Sequence, residues 1–216
     1  MGVAKYPINY DFFDSDSEEL WYFIGLVASD GYISDDRVEL CLNNKDEHIL
    51  AKLRDLICPD KPLYHKRSTH ATKFTIHSRN VAARLKAVLS MQSNNKHCEM
   101  RLPFIPRQYA KDFVRGIIDG DGCIDTTKAY RDGRVYIGPR LRILGGREFL
   151  TQLMELIRDF EPNNTRSVAK KGAENVWCIT YNFRIAEAVL RWCYESNSIC
   201  LFRKYNRFKE VSDMKK

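Results

Sequence analysis

What the chain lacks narrows its function first. No segment is apolar for the roughly 20 residues of a membrane span, and Met1 to Phe13 carries no apolar core of a secretory leader. Tyr6 stands where a myristoylation signal requires Ser or Thr. The seven cysteines form an odd set with no C-x-x-C pair and no zinc spacing to a pair of histidines. That pattern predicts reduced thiols in a cytoplasmic or organellar protein that is not secreted. The five histidines fall in no metal-ligand spacing, and His48 reads as a packing residue. Neither a G-x-x-x-x-G-K-S/T loop nor a G-x-S-x-G elbow occurs, which excludes a P-loop nucleotidase and a serine hydrolase.

What is present is a chain of 216 residues, 44% apolar and 29% charged, enough for one sizeable domain or two small ones fused. Lys and Arg number 35 against 28 Asp and Glu, a formal charge of +7 that points to a polyanionic partner. The first 19 residues carry one lysine against five acids, whereas the 18 residues from Ile199 carry six basic residues against two acids.

Apolar periodicity predicts a buried helix from Glu18 to Ser29, with N-cap candidates in Asp14 to Ser17 and a stop at Gly31. Arg37 to Asn43 alternates as a half-buried strand and pairs with Gly31 to Ser34. A helix from Asp46 to Ile57, a hairpin of Leu63 to Arg67 with Lys73 to Ser78, and a helix from Asn80 to Leu89 follow. The order then recurs. Lys111 to Gly120 reads as a helix, Cys123 to Leu144 as a long hairpin turning at Asp132-Gly133, and Glu148 to Phe160 as a helix. Asn164 to Lys170 with Asn175 to Tyr181 gives a hairpin around Gly172, and Ile185 to Tyr194 the last helix. The expected layout is an α+β chain of two αββαββα repeats, at 1–90 and 107–198, with a proline-punctuated linker at 91–106 and a basic tail at 199–216.

Both repeats open with the same pattern, Phe23-Ile-Gly25-Leu-Val-Ala28-Ser29-Asp30-Gly31 and Val114-Arg-Gly116-Ile-Ile-Asp119-Gly120-Asp121-Gly122. Asp30 and Asp121 each end an apolar helix, where the macrodipole disfavours an acid by about 0.3–1 kcal/mol. The small residues Gly25, Ser29, Gly116 and Gly120 would let the two helices approach closely and bring the aspartates together, at a propensity cost of about 1 kcal/mol per glycine. Two carboxylates held near each other call for a hard divalent cation with oxygen ligands. Either aspartate alone reads equally well as an Asp-Gly turn after a helix; the doubling makes that reading poor.

In these motifs and the repeated order, from about Leu20 to Phe208, the chain resembles the LAGLIDADG homing endonucleases in their single-chain, two-motif form. The resemblance implies a saddle of antiparallel strands over the DNA major groove, with the motif helices packed at a pseudo-twofold axis. It implies a monomeric enzyme of intron homing that cuts both strands of a long, nearly non-palindromic target, leaving short 3′ overhangs. Asp30 and Asp121 would hold Mg²⁺ (or Mn²⁺, with Ca²⁺ in a non-cleaving complex), and Ser29 and Gly120 would add ligands. Ala28 departs from the family pattern at a position that is not a metal ligand. A lysine following each half serves the family's active site, and the matching positions here are Lys96 and Lys204, with Arg203 an alternative to the latter. The initial Met, and the lack of splicing-domain sequence at either end, predict a free-standing enzyme.

DNA contacts are expected from the polar strand faces, since a two-stranded ribbon fits the major groove. These are Arg37, Glu39, Asn43, Tyr64, Lys66, Lys73, Thr75 and His77 in the first half. In the second they are Lys128, Arg131, Arg134, Tyr136, Arg140 and Arg142, with Arg166 and Lys170 from a segment of ambiguous parity. Asn43, Asn44 and Arg142 are also candidates for ordering water. A different reading keeps the fold without cleavage, as an RNA splicing maturase or a DNA-binding regulator; the presence of both acids counts against it.

Overall fold

The computed structural model describes residues 6–91, 100–163, 166–172, 176–195 and 199–214. A single helical turn, α1 (Asp11–Asp14), packs Phe12 and Phe13 edge-on against Phe23. In α2 (Glu18–Asp30) the Ser17 hydroxyl accepts from the Leu20 amide at 3.0 Å, and Glu18 and Glu19 complement the helix dipole. Leu20 through Ala28 are all buried, so this helix is enclosed on every side, as its unbroken apolar run requires.

The first half continues with β1 (Gly31–Ile33), β2 (Arg37–Asn43), α3 (Glu47–Ile57), β3 (Tyr64–Lys66), β4 (Ala71–His77) and α4 (Arg79–Val88). The second runs through α5 (Ala110–Asp121), β5 (Gly122–Arg131), β6 (Arg134–Gly145), α6 (Arg147–Phe160), β7 (Ala169–Lys170), β8 (Trp177–Asn182) and α7 (Phe183–Tyr194). The sheets are antiparallel with matching orders, β1-β2-β4-β3 and β5-β6-β8-β7. The α+β class and the doubled αββαββα order follow. At the tip of the long hairpin Asp132 and Gly133 both have positive φ, +50° and +71°, as a two-residue turn matching the strand twist demands.

Two elements go beyond the sequence expectation. One is α1; the other is α8 (Phe202–Asp213), formed by the segment read as a basic tail. Its buried positions, Lys204, Phe208 and Val211, keep helical spacing, but one of the three is a lysine, so no apolar stripe announces it. The strand expected from Asn164 to Lys170 is confined among the described residues to Ala169–Lys170.

The halves meet through α2 and α5. A Cβ on Gly25 would run into the Phe113 carbonyl, one on Gly116 into the Tyr22 carbonyl, and one on Gly120 into the Ser29 hydroxyl. The Ser29 hydroxyl lies 3.1 Å from the Leu26 carbonyl and 3.4 Å from the Gly116 carbonyl across the interface. The obstacles at Gly25 and Gly116 are backbone, so the helices must part to admit a methyl. Gly116→Ala should therefore destabilise the protein by about 2 kcal/mol in urea unfolding, although alanine improves helix propensity by about 1 kcal/mol. A variant as stable as the parent would refute the close-packing account.

Candidate active site and nucleic-acid interface

Asp30 and Asp121 are the last residues of α2 and α5, and both are exposed. The next residue in each case, Gly31 or Gly122, caps its helix by donating its backbone N–H to the Val27 or Ile118 carbonyl and begins a strand. No basic residue occupies the last turn of either helix. A Cβ on Gly120 would lie 3.2 Å from Asp30 Oδ2, so the Asp30 carboxylate reaches the residue that precedes Asp121. The close approach of glycine and serine thus puts two acids at the negative ends of two helices.

This donor set fits a hard divalent cation: two carboxylates, with the helix-end carbonyls of Ser29 and Gly120 as further oxygen donors. Among the described residues no group of three or more His, Cys, Asp or Glu could hold an ion by itself. A cation here would complete its shell from water or from substrate oxygens, as Mg²⁺ commonly does.

Lys204 is buried on α8, and its ammonium donates to the carbonyl of Gly122, next to Asp121. Burial lowers its pKa, as does Arg203, while Asp119, Cys123 and Asp30 push it back up. Arg203 points elsewhere: its Nε donates to Asp46 Oδ2 at 2.7 Å, tying α8 to the first half. His48 contributes to the same attachment, with Nε2 3.1 Å from the Cys200 carbonyl and its ring stacked on Phe202. Lys96 lies outside the described residues.

Two buried residues inside the second motif hold the approach to α8. Asp119 accepts from the Tyr22 hydroxyl at 2.8 Å, the Tyr194 hydroxyl at 2.5 Å and the Leu201 amide at 2.7 Å. Arg115 donates to the Ile199 and Cys193 carbonyls at 2.8 and 2.9 Å and to Asp112 Oδ1 at 2.6 Å. Neither was anticipated from sequence. The available signal was an Arg and an Asp four residues apart, hence on one face, set among the apolar residues Phe113, Val114, Ile117 and Ile118.

The outer face of the first sheet carries Arg37, Glu39 and Asn43 from β2, Lys73, Thr75 and His77 from β4, and Tyr64 and Lys66 from β3. The register places all eight expected positions on one side, opposite Val38, Leu40, Phe74 and Ile76. In the second sheet Arg131, Arg134, Tyr136, Arg140 and Arg142 share the outer face. Lys128 does not. It pairs with Ile137, so strand alternation turns it to the side of Ile124 and Leu141. Lys170 pairs with Trp177, also on the opposite parity from Arg142 and Thr180. Arg166 precedes β7, and its carbonyl accepts from Arg158 of α6 at 3.3 Å, so it is not a strand-face residue.

Asp125 on β5 lies among the arginines of that face, its carboxyl held below the usual range chiefly by the hydrogen bond from Arg140, against partial burial. At Asp119 burial dominates and pushes the carboxyl up from 3.8 to about 6, outweighing the Tyr194, Leu201 and Tyr22 hydrogen bonds. The folded protein therefore binds that proton more tightly than the unfolded chain. This contribution to stability falls as pH rises from about 4 to about 6, by up to about 3 kcal/mol, and is constant above. Asp119→Asn should remove that fall, read as the difference between parent and variant urea unfolding free energies across pH 4 to 7. A pH-independent difference would contradict it.

No family model matches the chain, and no curated protein sequence does. Solved structures do. The LAGLIDADG meganuclease I-AabMI bound to uncleaved DNA is similar over 90% of this chain and 90% of its own, at 15% identity and a TM-score of 0.58. The I-LtrWI LAGLIDADG homing endonuclease bound to target DNA is similar over 95% and 91%, at 15% identity and a TM-score of 0.57. The I-SmaMI LAGLIDADG homing endonuclease bound to cleaved DNA is similar over 91% and 88%, at 11% identity and a TM-score of 0.62. With its two motif helices packed on their glycines and its two matching antiparallel sheets, this chain has the fold of the LAGLIDADG homing endonucleases.

Proposed function

We propose that the protein is a site-specific DNA endonuclease that hydrolyses one phosphodiester in each strand of a double-stranded target. The observation that carries this reading is the pair of helix-end aspartates, drawn together by Gly25, Gly116 and Gly120 where each helix passes into its sheet. An acid at each of these positions works against the helix dipole, so fold stability alone does not account for it. Asp30 and Asp121, with the carbonyls of Ser29 and Gly120, would hold Mg²⁺ or Mn²⁺, with Ca²⁺ giving a bound but uncut complex. A divalent cation at that place supplies charge stabilisation at the scissile phosphate and an acidified water.

The protein's own groups bind and orient. The outer strand faces, from Arg37, Lys66, Lys73 and His77 to Arg134, Arg140 and Arg142, lie along the groove and set the register of the duplex. Lys204 presents its ammonium beside the Asp121 helix end, where it stabilises charge on phosphate oxygens; Lys96 is the corresponding residue of the other half. Repeats at 1–90 and 107–198, joined through 91–106, give one chain two unlike half-sites, which suits a monomer on a non-palindromic target in intron homing.

Plasmid cleavage tests this. Asp30→Asn and Asp121→Asn should each reduce double-strand cutting by at least about 100-fold, while binding in Ca²⁺ stays within a few-fold of the parent. Full cutting by both variants would remove these residues from the reaction. Lys204→Met should slow single-turnover cleavage by roughly 10- to 100-fold at unchanged affinity. A change confined to affinity would instead make Lys204 a binding residue.

A further inference from the structure

Asp125 is an acid in the middle of a face otherwise suited to a polyanion. It sits directly opposite Arg140 across the β5–β6 ladder, with Arg142 opposite Cys123 one step along the same face. Arg140 donates Nε to Oδ1 at 2.7 Å and Nη2 to Oδ2 at 2.8 Å, a side-on bidentate pair, and Arg142 donates Nη2 to the same Oδ2 at 2.7 Å. All three side chains are one quarter to one third exposed, at 25%, 32% and 31%. A partly exposed ion pair of this kind adds little to stability. A carboxylate on a DNA-facing surface also repels phosphate and lowers affinity for every sequence alike.

What it supplies is orientation. The Arg140 guanidinium is planar, and with its Nε and Nη2 edge engaged by Asp125 the end-on edge, bearing Nη1 and Nη2, is aimed in one direction. That edge is the fork that matches O6 and N7 of guanine in the major groove. Arg142, whose Nη2 also donates to Cys123 Sγ at 3.3 Å, holds the carboxylate from the other side. An unbraced arginine could swing to a phosphate and read nothing. The first half also sets an acid among the cations of its outer face, in a different geometry: Glu39 accepts from Arg37 Nε at 2.9 Å and Lys73 Nζ at 3.4 Å, while Arg37 Nη1 donates to Asp36 Oδ1 at 3.2 Å.

We propose that Asp125 is a specificity-determining residue, itself fixed by Arg142 and bracing Arg140 so that the β5–β6 face reads a guanine edge instead of a phosphate. This rests on the reading of that face as DNA-binding.

The test is selection from a randomised double-stranded DNA library, in Ca²⁺, by the parent, Asp125→Ala, Asp125→Asn and the charge control Glu155→Gln on the exposed side of α6. The parent and Glu155→Gln should select guanine at one position of one half-site. Both Asp125 variants should lose that preference by about tenfold, yet bind a non-selected duplex more tightly. The slope of log affinity against log salt should steepen by about one for Asp125→Ala. Asparagine preserves shape while removing charge, so a fold defect in the alanine variant would not mask the result. Undiminished guanine selection by both variants overturns the bracing role and leaves DNA binding standing. Failure of the parent to bind any duplex overturns the DNA-binding reading, and this inference with it.

Discussion

Everything in this molecule depends on how closely two helices can approach. The contact of α2 with α5 is made backbone to backbone at Gly25 and Gly116 and backbone to hydroxyl at Gly120 and Ser29. Such an interface has no flexible side chain to absorb an error, and interiors at native density transmit the misfit. It sets the separation of the halves, and hence of the two sheets that leave the helices at Gly31 and Gly122. It also sets the separation of Asp30 and Asp121. The feature that joins the repeats is therefore the one that assembles the candidate active site.

The pseudo-symmetry of that interface is broken deliberately in polarity. In the first motif the sixth position is Ala28, buried and apolar; in the second it is Asp119, buried with three hydrogen-bond donors from α2, α7 and the residue preceding α8. Arg115, four residues earlier, takes the Cys193 and Ile199 carbonyls. Together they fasten Cys193, Tyr194, Ile199 and Leu201 to the motif helices, and α8 then carries Lys204 to the Gly122 carbonyl. Both oxygens of Asp119 and three nitrogens of Arg115 are matched, while Asp112 Oδ2 is a buried atom without a hydrogen bond; a network matched at its centre favours one arrangement.

The net charge of +7 is a poor guide to where a polyanion would bind, because the acids that shape the surface are counted against it. Asp125 and Glu39 lie among the basic residues of the sheet faces, each shared between two cations. Asp30 and Asp121 stand at the helix ends. A face with its arginines held by carboxylates is less positive and more ordered than one of arginines alone, a difference that bears on selectivity more than on affinity.

Periodicity alone determined the element order and the strand parity of β2, β4 and β6, because apolar alternation with period 2 and glycine at helix ends are local signals. The doubled motif was legible for the same reason. Less was visible where an element's buried stripe includes a charge, as at Lys204 in α8, or where parity has to be counted through a long hairpin with few apolar markers. In β5 the pairing of Lys128 with Ile137 is set by the tight turn at Asp132-Gly133, and composition does not record it. Asp119, Arg115 and Asp125 act through partners far away in the chain or on a neighbouring strand. Their meaning lies in distances that come into being only when the helices close on their glycines and the strands take their register.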